Sequence, residues 1–341
     1  MGGLFQPKRI IGVDLSDDKA TVIQAKKVFR NLEIEKFFIA EKEGEEVKEF
    51  PNIRSKLNFD IEDLIITNAK MDSVIFITID IPPKLKRREY EEMAKLEAAR
   101  NFGISAEEIL SALVGKTSGK GIFAIAKREN INETVLKNLD KLGIGEPDVL
   151  IPDVFKYMYL LDVSLKGNTI FVVLNFIDDY VAVILNSSME VLGIRVIFRE
   201  LSRIVNFIKD SSEMDVFQME DINELGEAEY TYVKNELMDL SLEIIREISL
   251  TVNESIEGIS LDDINAVVLV TDPSIFETAF KEAFSSVNTN LTLGEFSLRY
   301  SMKFPNIWLN LYKGSLGLVL RGVEGERIKH VHIKKKKGKV T

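Results

Sequence analysis

A β-hairpin pattern that occurs once in each half of the chain limits the fold more than any other feature. Residues 9–15 predict a strand, 16–18 a tight polar turn and 19–26 a returning strand. A second hairpin is predicted from strands at 168–174 and 180–185. Because further strand and helix patterns follow each hairpin, the sequence indicates two related α/β halves.

The first half also contains a small pattern of its own. After a strand at 32–40, the sequence predicts a helix at 61–69 and a strand at 73–80 that stops at a pair of prolines. An amphipathic helix is predicted at 84–101, and strands at 109–116 and 121–127 flank a glycine-rich turn. A helix capped by Asn132 and ended by Gly143 completes this α+β unit.

The remaining pattern resembles the first. We predict a strand at 148–151, a short helix from Val154, a long helix at 232–250 and a buried strand at 266–270. The expected division is a first α/β half over 1–82 and 147–200, an inserted α+β subdomain over 83–146, a second half with a helical subdomain over 201–325, and a basic tail over 326–341. Two such halves with one insertion match the plan of the actin, sugar-kinase and hexokinase (ASKHA) superfamily.

Four stretches, taken in order, resemble the type IV pilus assembly protein PilM family, which is actin-like and related to the cell-division protein FtsA. IGVDLSDDKATVIQAKK (11–27) is similar to its first phosphate hairpin, and IPPKLKRREYEEMAKLEAARNFGISAEEILSALVG (81–115) to its insertion. FAIAKRENINETVLKNLDKLGIGEPDVLIPDVF (123–155) and the glycine-rich YKGSLGLVLRG (312–322) follow the same family. The resemblance implies a cytoplasmic scaffold or adaptor, with an ATP-binding, FtsA-like filament-forming ATPase as the alternative.

In this superfamily two hairpins and a glycine-rich segment hold a nucleotide with its metal, so the resemblance implies a site at three places. At the first hairpin an aspartate is kept, whereas serine replaces a usual glycine and two further carboxylates follow. At the second, asparagine replaces the aspartate and Ile177 the glycine, and at the third Thr-Asp stands where two glycines are usual. The residues of this expected, degenerate site are Asp14, Ser16, Asp17, Asp18, Lys19, Asn175, Asp178, Asp179, Thr271 and Asp272.

These departures predict that the protein is not an enzyme and needs no cofactor, with ATP and Mg²⁺ as the alternative ligands. The Asp178–Asp179 pair could hold a metal, but a solvated turn is the preferred interpretation. The chain contains no cysteine and only two histidines, His330 and His332, both near its end. Ser-His-Asp catalysis and histidine-ligated metal sites in the folded body are therefore excluded. Many charged residues without cysteine are also typical of heat-adapted proteins.

The partner expected from the resemblance is the cytoplasmic N-terminal peptide of a PilN-like, single-span membrane protein, with pilus motor components as further candidates. Candidate contacts beside the insertion are Arg100, Phe102 and Ile104, although core packing is the alternative for the last two. No apolar run approaches the about 20 residues of a membrane span, which predicts a cytoplasmic protein. The sequence leaves the oligomeric state open.

The end of the chain differs in charge from the rest. The residues after 325 carry a net charge of +6, against −10 for the whole chain, which leaves −16 on the rest. Such a tail can be attracted to anionic lipid and favours a peripheral position at the inner face of the cytoplasmic membrane, while a solvated tail is the alternative. The acidic body argues against nucleic-acid binding.

Overall fold

The computed structural model describes residues 9–28, 31–44, 48–57, 59–60, 62–82, 85–117, 119–160, 167–187, 190–255, 259–288, 290–294 and 306–324. The predicted basic tail lies outside the described residues. Within these ranges, none of the helices combines the length and the apolar character that crossing a membrane requires.

Twelve strands and seven α-helices make up the described fold. The strands are β1 (Ile10–Leu15), β2 (Lys19–Val28), β3 (Asn31–Glu41), β4 (Leu64–Ala69), β5 (Ile75–Asp80), β6 (Ile109–Thr117), β7 (Lys120–Lys127), β8 (Val149–Pro152), β9 (Asn168–Asn175), β10 (Tyr180–Ser187), β11 (Glu190–Phe198) and β12 (Ile264–Asp272). The helices are α1 (Arg87–Phe102), α2 (Arg128–Ile131), α3 (Lys137–Lys141), α4 (Ser202–Ser212), α5 (Glu227–Ser255), α6 (Glu277–Val287) and α7 (Asn306–Glu324). A π-helical turn, Asn132–Leu136, joins α2 to α3, and a 3-10 helix, Asp153–Leu160, follows β8.

The two halves repeat one sheet topology. The first sheet has the order β3-β2-β1-β4-β8 and the second the order β11-β10-β9-β12. In each sheet, three strands that are consecutive in the sequence pair antiparallel. A later strand lies on the other side of the first of these three and pairs with it in parallel, as β4 does with β1 and β12 with β9. Two related α/β halves are therefore present, but β9, β10 and β11, which the predicted division assigns to the first half, belong to the second sheet.

A third sheet forms the insert. Its order is β5-β7-β6, with α1 packed on one face through Tyr90, Ala94 and Ala98. β5 lies before the predicted boundary at residue 83 but pairs with β7. The helix over 128–141 lies inside the predicted insert, yet its Val135 and Leu139 pack on the first sheet.

Helix α7 belongs to the core that the two halves share. Leu316 and Val319 of α7 pack with Ile10 of the first sheet and with Val173 and Ile184 of the second. This shared core brings the ends of β1, β9 and β12 near one another and so creates the cleft between the halves.

Two local predictions are wrong. Residues 64–69 are strand β4 and not part of a helix, because this apolar segment pairs in parallel with β1, with Ile66 opposite Gly12. Asn132 does not begin a helix either. The helix starts at Arg128, and Asn132 lies in the π-helical turn, whereas Gly143 does end the helical stretch, with φ of 76°.

Candidate functional site

The first hairpin presents one carboxylate to the cleft and two to its rim. Asp14 lies near the end of β1, and the turn after it is closed by Ser16, whose backbone N–H and side-chain Oγ both donate to the carbonyl of Lys19 at 2.9 Å. Asp17 and Asp18 are exposed at the tip. The ammonium of Lys19 lies 4.6 Å from the ring centroid of Phe217 in the second half, a cation–π contact across the cleft.

The second hairpin is organised by Asn175. Its Oδ1 accepts hydrogen bonds from the backbone N–H groups of Ile177 and Asp178, both at 2.8 Å, which fixes the turn. Its Nδ2 lies 3.0 Å from Tyr157 Oη and 3.2 Å from Asp153 Oδ2. The amide that replaces the family aspartate is therefore engaged on both of its polar atoms.

Asp179 has a structural role apart from the cleft. It adopts φ of 55°, and its carboxylate accepts from the backbone N–H of Ser202 at 2.7 Å and from the Ser202 hydroxyl at 2.9 Å. These bonds hold the start of α4. The predicted Asp178–Asp179 pair is thus divided between two different environments.

The 3-10 helix after β8 supplies the centre of the site, which the sequence analysis missed. The ammonium of Lys156 lies 2.7 Å from Asp14 Oδ1 and 2.7 Å from Asp153 Oδ1. The Lys156 side chain is 2% exposed, and that of Asp153 is fully buried. A buried lysine therefore lies between the two carboxylates.

Asp153 is held by neutral donors as well. Asn68 Nδ2 donates to its Oδ1 at 2.5 Å, and Tyr180 Oη donates to its Oδ2 at 2.6 Å. The same Asn68 bonds the backbone N–H and carbonyl of Leu15, and so connects Asp153 to the first hairpin. The network joins β1, β4, the 3-10 helix and the second hairpin.

A second lysine bridges the two hairpins nearer the surface. Lys70 donates a short hydrogen bond to Asp17 of the first hairpin and lies 3.8 Å from Asp178 Oδ1 of the second. Among the described residues, that Asp178 oxygen has no hydrogen-bond partner. Lys70 thus connects the tips of both hairpins.

The third predicted segment joins the same network. Asp272 Oδ2, at the end of β12, accepts from Tyr157 Oη at 2.7 Å. The Thr271 carbonyl accepts from Lys313 Nζ of α7 at 2.7 Å, and Lys313 also binds Glu277 at 2.5 Å. The three predicted segments therefore do meet at one cleft, where Lys156 and Tyr157 link them.

Burial and neighbouring charges together shift the pKa values of the ionisable side chains in the cleft. Burial raises the pKa of Asp14 to about 6, although the Lys156 charge opposes that change. It raises the pKa of Asp178 to about 8, with help from the charge of Asp153. Burial alone lowers the pKa of Lys156, but the carboxylates of Asp14 and Asp153 outweigh it and raise that pKa above its usual value. These carboxylates therefore favour the charged form of Lys156.

Helix α7 packs against the Asp14–Lys156 pair at two glycine positions. A Cβ added at Gly314 would lie 1.8 Å from Asp14 Oδ2, and one at Gly317 would lie 2.1 Å from the carbonyl oxygen of Lys156. The absence of side chains at these positions lets α7 approach the Asp14–Lys156 pair directly.

This geometry does not fit the magnesium ion that the fold family implies. Mg²⁺ takes an octahedron of oxygen ligands at about 2.0–2.1 Å, whereas an ammonium already lies between Asp14 and Asp153. Ile177 also places a branched side chain in the turn of the second hairpin, where the family has glycine. Over the described ranges, no three acidic or histidine side chains are grouped so that they could hold a metal ion.

A separate, small apolar recess lies where the insert meets the first sheet. It opens beside β8, the last strand in the order of the first sheet. Its walls come from β4, β6, β7, α2 and β8 and from the segment before β5. The lining residues are Ala69, Val74, Leu110, Ala124, Ile125, Ala126, Ile131, Leu150, Ile151 and Pro152.

The predicted partner residues lie elsewhere on the insert. Phe102 and Ile104 are half-buried in the cluster beneath α1, and Lys127 lies 5.2 Å from the Phe102 ring centroid. Arg100 is exposed, with Glu97 at 3.7 Å. Ala126, the neighbour of Lys127, lines the recess, and successive side chains point to opposite faces of a sheet. The three predicted residues and the recess are thus on opposite sides of the insert, and a partner role for the three stays a prediction.

Comparison with solved structures identifies the fold. A chain of the PilM–PilN type IV pilus biogenesis complex is 17% identical and superposes with a TM-score of 0.66, covering 92% of this chain and 98% of that chain. The cytoplasmic domain of EpsL, an inner membrane component of the type II secretion system of Vibrio cholerae, is 11% identical with a TM-score of 0.42, covering 90% of this chain and 94% of its own. A Bacteroides thetaiotaomicron protein with an actin-like ATPase fold and unknown function is 10% identical with a TM-score of 0.39, covering 83% and 90%.

No family model and no curated protein matches the sequence. The likeness to the PilM–PilN chain over nearly the whole length confirms the predicted actin-like fold of two α/β halves with an insertion. It also agrees with the PilM family resemblance found in the sequence.

Proposed function

We propose that this protein is a PilM-like scaffold of type IV pilus assembly, which binds the cytoplasmic N-terminal peptide of a PilN-like membrane protein. The observation that carries the proposal is the apolar recess between the insert and the first sheet, in a fold similar to that of a chain from a PilM–PilN complex. A scaffold of this kind works by binding at the inner face of the cytoplasmic membrane and performs no reaction of its own.

The recess suits an extended peptide for two reasons. Its lining is apolar, so it offers a contact for a hydrophobic side chain. It also lies beside β8, which among the described strands pairs only with β4 and is the last strand in the order of the first sheet. A peptide that adds to such an edge gains backbone hydrogen bonds, and its side chains then reach the recess.

Calorimetry with the N-terminal peptide of a PilN-like protein from the same organism tests this site. We expect the parent to bind with micromolar affinity, about −8 kcal/mol. Ala126→Leu fills the recess from a half-buried position and should weaken binding by about tenfold or more. Arg100→Ala, on the other side of the insert, is the matched control and should bind like the parent.

The same titration separates the recess from the earlier candidate residues. If Phe102→Ala and Ile104→Ala remain folded but lose the peptide while Ala126→Leu keeps it, the partner lies on the α1 side of the insert. Failure of the parent to bind any such peptide would reject the PilN-like partner altogether.

We further propose that the scaffold works without ATP hydrolysis, in contrast to an FtsA-like filament-forming ATPase. Support comes from the Lys156 ammonium between Asp14 and Asp153, and from Asn175 in place of an aspartate. Removing a preorganised charge stabiliser typically costs two or more orders of magnitude in rate, or about 3–4 kcal/mol.

An ATPase assay with a thermal-shift titration tests this second part. We expect phosphate release at background and no Mg-ATP-dependent rise in the unfolding midpoint. A true site filled at about 100 times its dissociation constant would add about 2.7 kcal/mol. Magnesium-dependent turnover that disappears in Asp14→Ala would instead support the ATPase.

A further inference from the structure

The two carboxylates at the floor of the cleft come from distant parts of the chain. Asp14 belongs to the first hairpin and Asp153 to the 3-10 helix after β8, yet one ammonium is 2.7 Å from an oxygen of each. An unpaired carboxylate is costly to bury, so each needs a cation or several donors. For Asp14, that partner is Lys156, whose ammonium donates to its Oδ1 at 2.7 Å.

Lys156 is almost fully enclosed, and α7 packs closely against it. Its side chain is 2% exposed, and Gly314 and Gly317 of α7 lie so close that any side chain there would overlap Asp14 or the Lys156 carbonyl. The 3-10 helix contributes both Asp153 and Lys156, three residues apart, so the cation is positioned by the same element as one of its partners.

We propose that Lys156 is the built-in counter-cation of this cleft, in the place where a nucleotide-bound divalent ion would join Asp14 to Asp153. The chain itself then supplies the charge that holds the first hairpin against the 3-10 helix. A divalent ion is excluded from the parent protein but admitted when the ammonium is removed. This inference does not depend on the pilus partner, so the peptide titration and the experiment below can fail independently.

The experiment compares the metal-free parent with Lys156→Ala during titration with MnCl₂. The readouts are the thermal unfolding midpoint and the bound Mn²⁺ counted by electron paramagnetic resonance. We expect the midpoint of the parent to be unchanged, with no ion bound. Lys156→Ala should have a lower midpoint without metal and a saturable, Mn²⁺-dependent rise, with a single ion bound.

Two variants serve as controls. Lys313→Ala removes another buried lysine, one that binds Glu277 and the Thr271 carbonyl, and should lower the midpoint without gaining a response to Mn²⁺. Adding Asp14→Asn to Lys156→Ala should abolish the gained response, because one of the two carboxylates is then neutral.

Saturable Mn²⁺ binding by the parent that Asp14→Asn removes would overturn the proposal, as would a folded Lys156→Ala that ignores Mn²⁺. If Lys156→Ala does not fold, the neutral pair Asp14→Asn/Lys156→Met decides. If this double variant folds, the proposal is supported, because the defect in Lys156→Ala was then the unpaired carboxylate of Asp14. Loss of folding in the pair as well would overturn it.

Discussion

Asp178 has an environment that favours a neutral carboxyl group. Its side chain is 7% exposed, its Oδ1 has no hydrogen-bond partner among the described residues, and Lys70 is 3.8 Å away. Burial and the nearby charge of Asp153 raise the pKa of Asp178 to about 8, against 3.8 for a free side chain. The folded protein therefore holds a proton here that the unfolded chain releases.

The raised pKa of Asp178 predicts that the free energy of unfolding decreases as the pH rises. Between the pKa of 3.8 in the unfolded chain and the pKa of about 8 in the folded protein, the folded state binds more protons than the unfolded state. The free energy of unfolding therefore keeps its full value below this pH range and decreases as the pH rises through it. We expect a contribution of up to about 1.4 kcal/mol per pH unit. Denaturant unfolding of the parent and of Asp178→Asn at several pH values measures it, and the variant should lack this part of the decline.

Asp239→Asn is the control, because Asp239 is exposed on α5. It should leave the pH dependence of the parent unchanged. If Asp178→Asn shows the same decline as the parent, Asp178 is ionised throughout this range and the assigned environment is incorrect.

The cleft also shows which residues a sequence can reveal. Asp14, Asn175 and Asp272 were predicted because they lie at or near strand ends, at positions that the family resemblance marks. Asp153 and Lys156 were missed, since Lys156 meets Asp14 across 142 residues of sequence. In the sequence they stand in a short helical segment with no motif, and a lysine near an aspartate is usually a surface pair. The signal in the sequence that could have found them is that a helix is predicted to begin directly after a buried strand.

At the scale of elements, helix α7 depends on positions without side chains. Gly314, Gly317 and Gly322 all lie where a Cβ would overlap a neighbour in the first half: Asp14, the Lys156 backbone and Ile10 respectively. Sequence analysis found this glycine pattern by family resemblance, but could not say what it faces. Residues 64–69 illustrate the opposite case, because their apolar run suits both a helix and a buried strand, and only pairing with β1 decides between them.

Gly317→Ala should therefore destabilise the protein by about 2 kcal/mol or more, despite the higher helix propensity of alanine. The added Cβ would lie 2.1 Å from the carbonyl oxygen of Lys156, a backbone atom that cannot rotate away. Chemical denaturation monitored by circular dichroism measures the change.

Gly226→Ala is the matched control. Its Cβ would meet only the carboxylate end of Glu229, at 2.5 Å, which can rotate towards solvent. We expect a change within about 0.5 kcal/mol. Equal effects of the two alanines would mean that α7 lies farther from the 3-10 helix than described.

At the scale of the whole molecule, the insert contacts both halves. β5 follows β4 of the first half, while β6 approaches β11 of the second so closely that a Cβ at Gly115 would lie 2.1 Å from the Val191 carbonyl oxygen. The apolar recess thus has one wall on β6, an element that also contacts the second half.

The charge asymmetry of the chain gives a prediction at this scale. A variant that ends at Glu326 should unfold at the same midpoint as the full chain but bind anionic vesicles more weakly, by about 1 kcal/mol for each basic residue that reaches the surface. Salt should reduce the binding of the full chain, because the Debye length is about 8 Å at 0.15 M. Co-sedimentation with phosphatidylserine vesicles measures this effect.

Vesicles of phosphatidylcholine alone are the control for charge. Equal sedimentation of the full and shortened chains with anionic vesicles would assign membrane attraction, if any, to another surface. A lower unfolding midpoint of the shortened chain would show that the tail also supports the fold.

A counter-cation that is a side chain of the protein differs from a bound nucleotide in that it never leaves the cleft. Nucleotides are exchanged and hydrolysed, so proteins that close around them can count cycles and respond to the energy state of the cell. Lys156 can be neither exchanged nor consumed, and its charge persists at any physiological pH. If Lys156 is the counter-cation that we propose, the cleft takes its final arrangement when the chain folds and depends on no exchangeable ligand. In the scaffold role that we propose, any repeated cycle of pilus assembly would then be driven by another component.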